Sequence, residues 1–264
     1  MVRVAQLSDL HLVETDHAAR RGVKKWRLAY LSAHRRLDPD DRVSRARRAL
    51  EAARAADVDH VVITGDITED GTTAQFELFA TLLHDSGIAA SRFTLVPGNH
   101  DVVDRPEAWE QALAGPLRAF RPTSRTGEDV VVGDLALVPV NTTFYQFWLF
   151  SAGRMAPSQA ERVGAAVARH RGQGRAVALV QHHPVTPHAS SIVQWVDGMR
   201  DTARSRTLLD AEDHVHVLHG HIHRRRDRVM TTLRHPQVFS AGAVVDSDDP
   251  VRFYAAEGGS LRAA

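Results

Sequence analysis

The chain has 264 residues, 43% of them hydrophobic and 25% charged, which is an ordinary globular composition and argues against disorder, collagen and a membrane bundle. Lys and Arg total 33 and Asp and Glu total 32, so the net charge of +1 does not indicate a globally basic nucleic-acid binder. The absence of cysteine excludes disulfides, thiolate zinc sites and cysteine nucleophiles.

The first half of the chain alternates short apolar runs with helical spacings. Strands are predicted at residues 2–7, 58–64 and 93–96. Small apolar residues recur on one face over residues 44–56, and this spacing predicts a helix. A second helix is predicted from Thr72, because Gln75 three residues later completes a capping-box pattern. Its buried stripe would be Phe76, Phe79 and Leu83.

The second half continues the alternation. A hairpin is predicted from residues 130–132 and 135–140, because Gly133 and Asp134 between them are a turn pair. A helix is predicted to begin at Pro157. Further strands are predicted at residues 176–181, at residues 214–218 and within the last 35 residues. The pattern indicates an α/β layered domain with either two sheets or one mixed sheet.

Residues with metal-binding side chains follow five of the predicted strands. They occur as Asp9-Leu10-His11, Gly65-Asp66, Gly98-Asn99-His100-Asp101, His182-His183-Pro184 and Gly220-His221-Ile222-His223. Because strand ends converge on one crevice in a layered α/β fold, we expect these side chains to lie close together. Active sites commonly lie on loops held in this way by a rigid sheet.

The side-chain chemistry points to a metal centre. Carboxylate, carboxamide and imidazole groups suit Mn, Fe, Zn and similar ions. Seven candidate ligands exceed the roughly four that one tetrahedral site would use. Two metals that share one carboxylate would use all seven, and such pairs clamp the attacking and leaving oxygens of a phosphoryl transfer. Two Asp against two divalent ions leave a charge of about +2, which suits an anionic phosphate.

In this order the five motifs resemble those of the calcineurin-like metallophosphoesterase superfamily, with no departure at a ligand position. The resemblance implies an α/β fold, a four-layer α/β/β/α sandwich with two mixed β-sheets. It implies a phosphodiesterase of the small bacterial type, in which a metal-bound hydroxide attacks phosphorus. Candidate substrates are cyclic nucleotides, glycerophosphodiesters and nucleotide-linked lipids. The alternatives are a phosphomonoesterase, a nuclease or a non-catalytic scaffold.

The resemblance also implies a role for each matching residue. One metal ion would be held by Asp9, His11 and His223. The other would be held by Asn99, His182 and His221. Asp66 would bridge the two ions, which would be divalent or mixed-valence Mn, Fe or Zn. The catalytic residues would be His100, which contacts the phosphate or protonates the leaving oxygen, and Asp101, which would accept the other N–H of His100.

Two irregular segments leave alternatives open. Residues 20–48 carry 11 Lys and Arg against 3 Asp. One interpretation is a solvated helical face. The other is a basic helical insertion at about residues 15–42 of a single domain that spans residues 1–264. In that insertion the cations would hold a polyanionic or phospholipid substrate. Residues 144–150 contain five of the chain's 16 aromatic residues. They are interpreted as core, as an interface, or as an apolar wall for a base, an acyl chain or a partner.

The hydropathy pattern indicates in which compartment of the cell the protein is expected. No basic segment followed by a long apolar run opens the chain, so we expect no signal peptide. No run of about 18 apolar residues occurs, so we expect no transmembrane segment and a cytoplasmic protein. A phosphate ester, either a small molecule or a lipid, is the expected partner. A nucleic acid and the oligomeric state stay open.

Overall fold

The apolar runs form strands, and the structure adds one strand that the pattern does not predict. The computed structural model describes residues 1–33, 35–103, 105–211, 213–229 and 237–264. Within these ranges the strands are β1 (Val2–Leu7), β2 (His60–Thr64), β3 (Phe93–Val96), β4 (Val130–Val132), β5 (Leu135–Pro139), β6 (Ala176–Val180), β7 (Val215–His219), β8 (Arg226–Arg228), β9 (Val238–Ser240), β10 (Arg252–Glu257) and β11 (Ser260–Ala263). The α-helices are α1 (Gly22–Leu31), α2 (Pro39–Ala55), α3 (Thr73–Asp85), α4 (Ala108–Ala114), α5 (Pro157–Arg171), α6 (Ser191–Asp197) and α7 (Thr202–Ala211).

The strands pair into two mixed sheets. The first sheet has the order β11-β10-β1-β2-β3, in which β1 is parallel to β2 and antiparallel to β10. The second has the order β4-β5-β6-β7-β9-β8, with parallel central strands and antiparallel edge pairs. The unpredicted strand is β8. The predicted region of closing strands begins at residues 230–236, which lie outside the described residues.

Three apolar clusters separate four layers. Val4 and Val62 of the first sheet pack against Leu137 and Ala178 of the second, so the inner faces of the sheets share one core. Helices α2, α3 and α4 pack on the outer face of the first sheet, and α5 and α7 pack on the outer face of the second. Because both faces of each sheet are covered, the central strands are continuous apolar runs. The predicted α/β/β/α sandwich with two mixed sheets is confirmed.

Local signals set where the helices begin. Thr72 caps α3 as predicted, since its hydroxyl accepts the Gln75 N–H at 3.3 Å, and the predicted stripe is buried. The predicted start of α2 at residue 44 is wrong, because the helix begins at Pro39. Asp38 precedes it and accepts the N–H of Asp41 at 3.1 Å. An Asp cap followed by Pro at the first position is a strong start signal.

Two helices and the aromatic segment lie on the surface. Helix α1 falls within the predicted helical insertion at about residues 15–42, but the sequence pattern gave no bounds for it and did not predict α6. Helix α1 buries only Arg27 and Leu28, and α6 buries no residue. The interpretation of residues 144–150 as core is wrong, because Tyr145 and Phe147 are 71% and 55% exposed. Among the described helices, none is both long enough and apolar enough to cross a membrane.

Candidate active site

The loops that follow β1, β2 and β3 meet the loops that follow β6 and β7 at one edge of the two sheets. The N–H of Asp9 donates to the carbonyl of Gly65 at 3.0 Å, and the N–H of His11 donates to the carbonyl of Asp66 at 2.9 Å. These bonds tie the first two loops together. The N–H of His221, from the second sheet, faces both carboxylate oxygens of Asp9 at 3.2 and 3.3 Å. Candidate ligands from both sheets therefore share one site.

Candidate ligand atoms form overlapping groups at this edge. Atoms within 4.8 Å of one another belong to Asp9, His11 and His223; to Asp9, Asp66 and His182; to His11, Asp66 and His100; and to His182, His183 and His221. Asn99 joins them through its Oδ1, which lies 3.2 Å from His182 Nε2. The structure thus brings the seven predicted ligands together and adds His183 beside them. The assignment of each ligand to one of two ions stays a prediction.

Asp66 and His11 test whether metal ions fit. The Oδ2 atom of Asp66 lies 3.9 Å from His11 Nε2 and 3.3 Å from His182 Nε2, so this carboxylate faces both sides of the cluster. Within the described chain, both ring nitrogens of His11 are buried without a hydrogen-bond partner. An unbonded buried polar group is unfavourable, and a neutral imidazole is a good ligand for a divalent cation. The donor set therefore fits divalent metal ions.

The backbone is unusual at the predicted ligands. In the described chain six residues other than glycine have positive φ, and five of them are Asp9 (54°), His11 (49°), Asp66 (48°), His221 (69°) and His223 (54°). Such conformations are rare for side chains with a Cβ, and they cluster at functional sites. The left-handed turns direct these side chains toward the shared cluster.

Glycines in the motifs let the loops approach one another. A Cβ atom on Gly98 would lie 2.1 Å from Asp66 Oδ1 and 2.3 Å from Asp66 N. A Cβ atom on Gly65 would lie 2.6 Å from Nδ1 of His182, and Gly65 also has a φ of +90°. Cβ contacts this short do not occur in proteins, so glycine is a steric requirement of the Gly-Asp and Gly-Asn-His-Asp motifs.

Three predicted histidine ligands are held by hydrogen bonds through one ring nitrogen. These bonds run from His182 Nδ1 to the Thr64 carbonyl (2.8 Å), from His223 Nδ1 to Asp246 Oδ2 (2.6 Å) and from His221 Nε2 to the Asp197 carbonyl (3.0 Å). Such contacts fix the tautomer and leave the other nitrogen for a metal. Sequence reasoning missed Asp197 and Asp246, because each lies outside the motifs and meets its histidine only in the folded chain.

The prediction that Asp101 orients the His100 ring is wrong. The Nδ1 of His100 donates instead to the carbonyl of Glu69 at 2.7 Å. The buried Asp101 carboxylate points away from the ring and accepts the N–H groups of Thr68 and Gly98, each at 2.8 Å. It also accepts the Thr68 hydroxyl at 2.7 Å. Asp101 is therefore a positioning residue that fastens the loop after β2 to the loop after β3.

The basic segment 20–48 turns part of its charge inward. Arg42 Nη1 donates to Glu69 Oε2 at 2.5 Å, and Arg35 Nη2 donates to Glu69 Oε1 at 3.1 Å. Two further arginines of the segment pair with Asp70. Both carboxylates are buried directly behind the cluster. These arginines are neither a solvated face nor substrate ligands, because they neutralise the carboxylates that support the site.

Burial and neighbouring charges set the protonation states. Burial acts to raise the pKa of Asp66, but the adjacent His182 and His100 hold that pKa well below its usual value. Burial holds the pKa of His11 well below its usual value, and Arg35 acts in the same direction. Burial acts to lower the pKa of His182, yet the Asp66 carboxylate raises it to about 9. Asp66 is thus ionised and His11 neutral at neutral pH, as metal ligation requires, whereas the metal-free His182 is protonated there and would release that proton on binding a metal.

His183, beside a predicted ligand, is occupied by the protein itself. Its Nε2 donates to the Ser151 carbonyl at 2.9 Å, and its Nδ1 accepts the Thr142 hydroxyl at 2.8 Å. With both nitrogens used, the ring supports its neighbours rather than offering a ligand atom.

Comparisons with known proteins decide the family. The family model of the calcineurin-like phosphoesterases matches residues 2–225. The chain belongs to this family. It is similar to the 3′,5′-cyclic adenosine monophosphate phosphodiesterase CpdA of Escherichia coli K12, with 27% identity over an alignment of 237 positions; the match covers 86% of this chain and 71% of CpdA.

Two solved structures show the same phosphoesterase fold. A dimetal phosphatase from Danio rerio aligns with a TM-score of 0.70 at 12% identity and covers 99% of this chain and 98% of its own. The purple acid phosphatase PPD1 from yellow lupin seeds aligns with a TM-score of 0.55 at 10% identity, over 99% of this chain and 51% of its own. Family membership confirms the prediction that the protein is a phosphoric ester hydrolase. The donor set of the candidate site fits divalent metal ions.

Proposed function

We propose that this phosphoesterase is a phosphodiesterase that works with two divalent metal ions. The observation that carries the proposal is the Asp66 carboxylate, which faces His11 on one side and His182 on the other. A carboxylate shared in this way suits a pair of ions. The similarity to CpdA, which is named a phosphodiesterase, favours a diester over a monoester as substrate.

Each predicted ligand has a place in this arrangement. One ion would be held by Asp9, His11 and His223. The other would be held by Asn99, His182 and His221, and Asp66 would contact both. When bound, the ions would supply Lewis-acid activation of water and of the phosphoryl group. Mn, Fe or Zn are the proposed ions, because they accept this mixture of oxygen and imidazole ligands.

His100 would carry the proton in the reaction. Its Nδ1 is used by the Glu69 carbonyl, so Nε2 is the nitrogen left for substrate. A protonated Nε2 would donate to a phosphoryl oxygen, stabilising its charge, and would then pass the proton to the leaving oxygen as the P–O bond breaks. Asp101 would keep His100 in register with the ligands by holding the two loops together.

A cyclic nucleotide is the first candidate substrate, because CpdA matches 86% of this chain. Glycerophosphodiesters and nucleotide-linked lipids are the further candidates, and each offers the same phosphodiester group. Pocket walls rather than ligands set the choice among them. We place the enzyme in the cytoplasm, which a chain without cysteine permits.

Two aryl esters test the reaction class. The protein is stripped of metal and reloaded with Mn²⁺, and turnover of bis(p-nitrophenyl) phosphate is compared with turnover of p-nitrophenyl phosphate. We expect the diester to react faster. Faster turnover of the monoester would replace the proposal with a phosphomonoesterase. Full metal occupancy without turnover of either ester or of a cyclic nucleotide would favour the non-catalytic scaffold.

Two substitutions test the assigned residues. His100→Ala is expected to keep its metals, and its turnover is expected to fall about 10²–10⁴-fold. The matched control is His84→Ala, at an exposed position of α3, which should keep the turnover of the wild type. Unchanged turnover in His100→Ala would remove that residue from the mechanism. Asp66→Asn is expected to lose metal, as measured by elemental analysis of the purified protein. Full occupancy in this variant would refute the shared carboxylate.

A further inference from the structure

An apolar surface lies beside the active site and takes no part in the proposed reaction. Twelve large hydrophobic side chains are exposed in the described chain, and nine of them lie in α1, residues 144–150 and α6. We call these three segments the aromatic face, since its most exposed rings include Trp26 (75%), Tyr145 (71%) and Trp195 (54%). Contiguous exposed apolar surface of this kind marks an interaction site.

Ring contacts join the three segments into one surface. Tyr30 of α1 meets Trp148 edge to face, with ring centres 5.0 Å apart. Phe150 meets Trp195 of α6 in the same manner at 4.9 Å. Between them, Phe147 lies 5.5 Å from Trp148 and 6.3 Å from Phe150. The aromatic face is therefore continuous from α1 to α6.

The charge of the aromatic face is positive. The chain has only two lysines, Lys24 and Lys25, and both are exposed on α1. Residues 17–37 contain no Asp or Glu. Arg154 and Arg200 are also exposed, and the guanidinium group of each lies 4.9 Å from the centre of the Phe144 ring. Two arginine cations thus lie against the apolar surface, and two lysines lie on the helix that carries Trp26 and Tyr30.

The anchoring of α1 fixes which side faces outward. Leu28 is buried, and so is Arg27, whose Nη2 lies 3.6 Å from Asp70 Oδ2. Because these two residues point inward, Trp26 and Tyr30 are held on the opposite, solvent-facing side, one helical turn apart. The exposure of these rings is a property of the folded helix and not of a loose segment.

We propose that the aromatic face binds the surface of an anionic lipid bilayer. Trp and Tyr with flanking Lys and Arg is the composition of segments that lie at the membrane–water interface. Anionic headgroups attract the cations of the face, and the aliphatic chains of Val23 and Ile192 enter the acyl boundary. A nucleic acid would leave these aliphatic groups without a partner. A second copy would place the lysines against an equally cationic surface.

Binding in this orientation would bring the active site to the membrane surface. Asp197, the last residue of α6, accepts the N–H of His221 Nε2, at 3.0 Å through its carbonyl and 3.1 Å through its carboxylate. Ser151, next to the aromatic segment, accepts the N–H of His183. The inference does not rest on the proposed diesterase activity, because it concerns only the surface that borders the site.

Vesicle co-sedimentation of the full chain tests the proposal. We expect binding to vesicles of phosphatidylcholine mixed with phosphatidylglycerol and much weaker binding to phosphatidylcholine alone. Each basic residue near an anionic surface raises affinity about fivefold, so Lys24→Gln with Lys25→Gln should weaken binding about 25-fold. The matched control is Arg47→Gln with Arg48→Gln, which removes the same charge from exposed positions of α2 and should leave binding unchanged.

Two spectroscopic and chemical readouts locate the contact. Trp26, Trp148 and Trp195 lie on the aromatic face, whereas Trp109 is buried, so mixed vesicles should shift tryptophan emission to shorter wavelength. With only two lysines in the chain, amine-reactive labelling of Lys24 and Lys25 should be suppressed by the same vesicles. The proposal would be overturned if vesicles changed neither the emission nor the labelling, or if both double variants lost vesicle binding equally. It would also be overturned if the protein self-associated with increasing concentration but did not bind vesicles.

Discussion

The close approach of Gly98 to Asp66 makes Gly98→Ala a sharp perturbation. The added Cβ would lie 2.1 Å from Asp66 Oδ1, whereas ordinary contacts begin at 3.4 Å, so the carboxylate must move by about 1.3 Å. The second contact, at 2.3 Å, is with the backbone N of Asp66, so a rotamer change cannot relieve the overlap. A misplacement of about 1 Å at a reacting centre lowers the rate about 100-fold.

The assay is turnover of bis(p-nitrophenyl) phosphate by Gly98→Ala, with metal content and urea unfolding measured on the same sample. We expect a loss of about 100-fold in turnover, reduced metal occupancy and a decrease of about 1–3 kcal/mol in the free energy of unfolding. Gly164→Ala is the control, because no atom lies within 4 Å of the added Cβ in α5. It should raise stability by about 0.4–1 kcal/mol. Wild-type turnover and metal content in Gly98→Ala would refute the steric argument.

Two further predictions concern stability. Glu69→Gln leaves the buried Arg42 without its carboxylate, so the free energy of unfolding in urea should fall by about 3–5 kcal/mol. The control is Glu77→Gln, at an exposed position of α3, which should change the free energy of unfolding by less than about 0.5 kcal/mol. Equal effects of the two substitutions would contradict the role of Glu69. Burial, with a smaller effect of Arg92, lowers the pKa of His60 from 6.5 to about 4. Between these two pH values the unfolded chain binds one more proton than the folded chain, so the free energy of unfolding decreases as the pH falls. When the pH is lowered from about 7 to about 5, the free energy of unfolding of the metal-free wild type should decrease by about 2 kcal/mol more than that of His60→Gln. Parallel pH profiles of the two proteins would show that His60 is not the cause.

The strands, and the meeting of the candidate ligands at one edge of the sheets, could be predicted from the sequence because each strand and each motif is a local pattern of residues. The strand that contains Val61, Val62 and Ile63 is covered on both faces, so it reads as an unbroken apolar run. The bounds of helix α1, within the predicted insertion, could not be predicted for the opposite reason. Its large apolar residues, Trp26 and Tyr30, face solvent, so the apolar positions do not trace a buried stripe.

The supporting residues of the site could not be predicted, because their pairing is set by the fold. Glu69 meets Arg42 across 27 positions and Asp197 meets His221 across 24. Nothing in the sequence singles out these acidic residues from the others. Asp101 shows the same limit, because the motif gave its position and the folded loops gave its partners. The residue pattern also left one or two sheets open, and the resemblance to the family supplied the answer.

The left-handed backbone at the ligands has a consequence for how such a chain changes over evolution. Five non-glycine residues in this conformation carry strain of about 1 kcal/mol or more each, against a total stability of about 5–15 kcal/mol for a typical domain. Replacing Asp9 or His223 with glycine would relax the backbone while deleting a candidate ligand. Stability alone thus favours the decay of this site, so only selection for chemistry keeps these side chains in place.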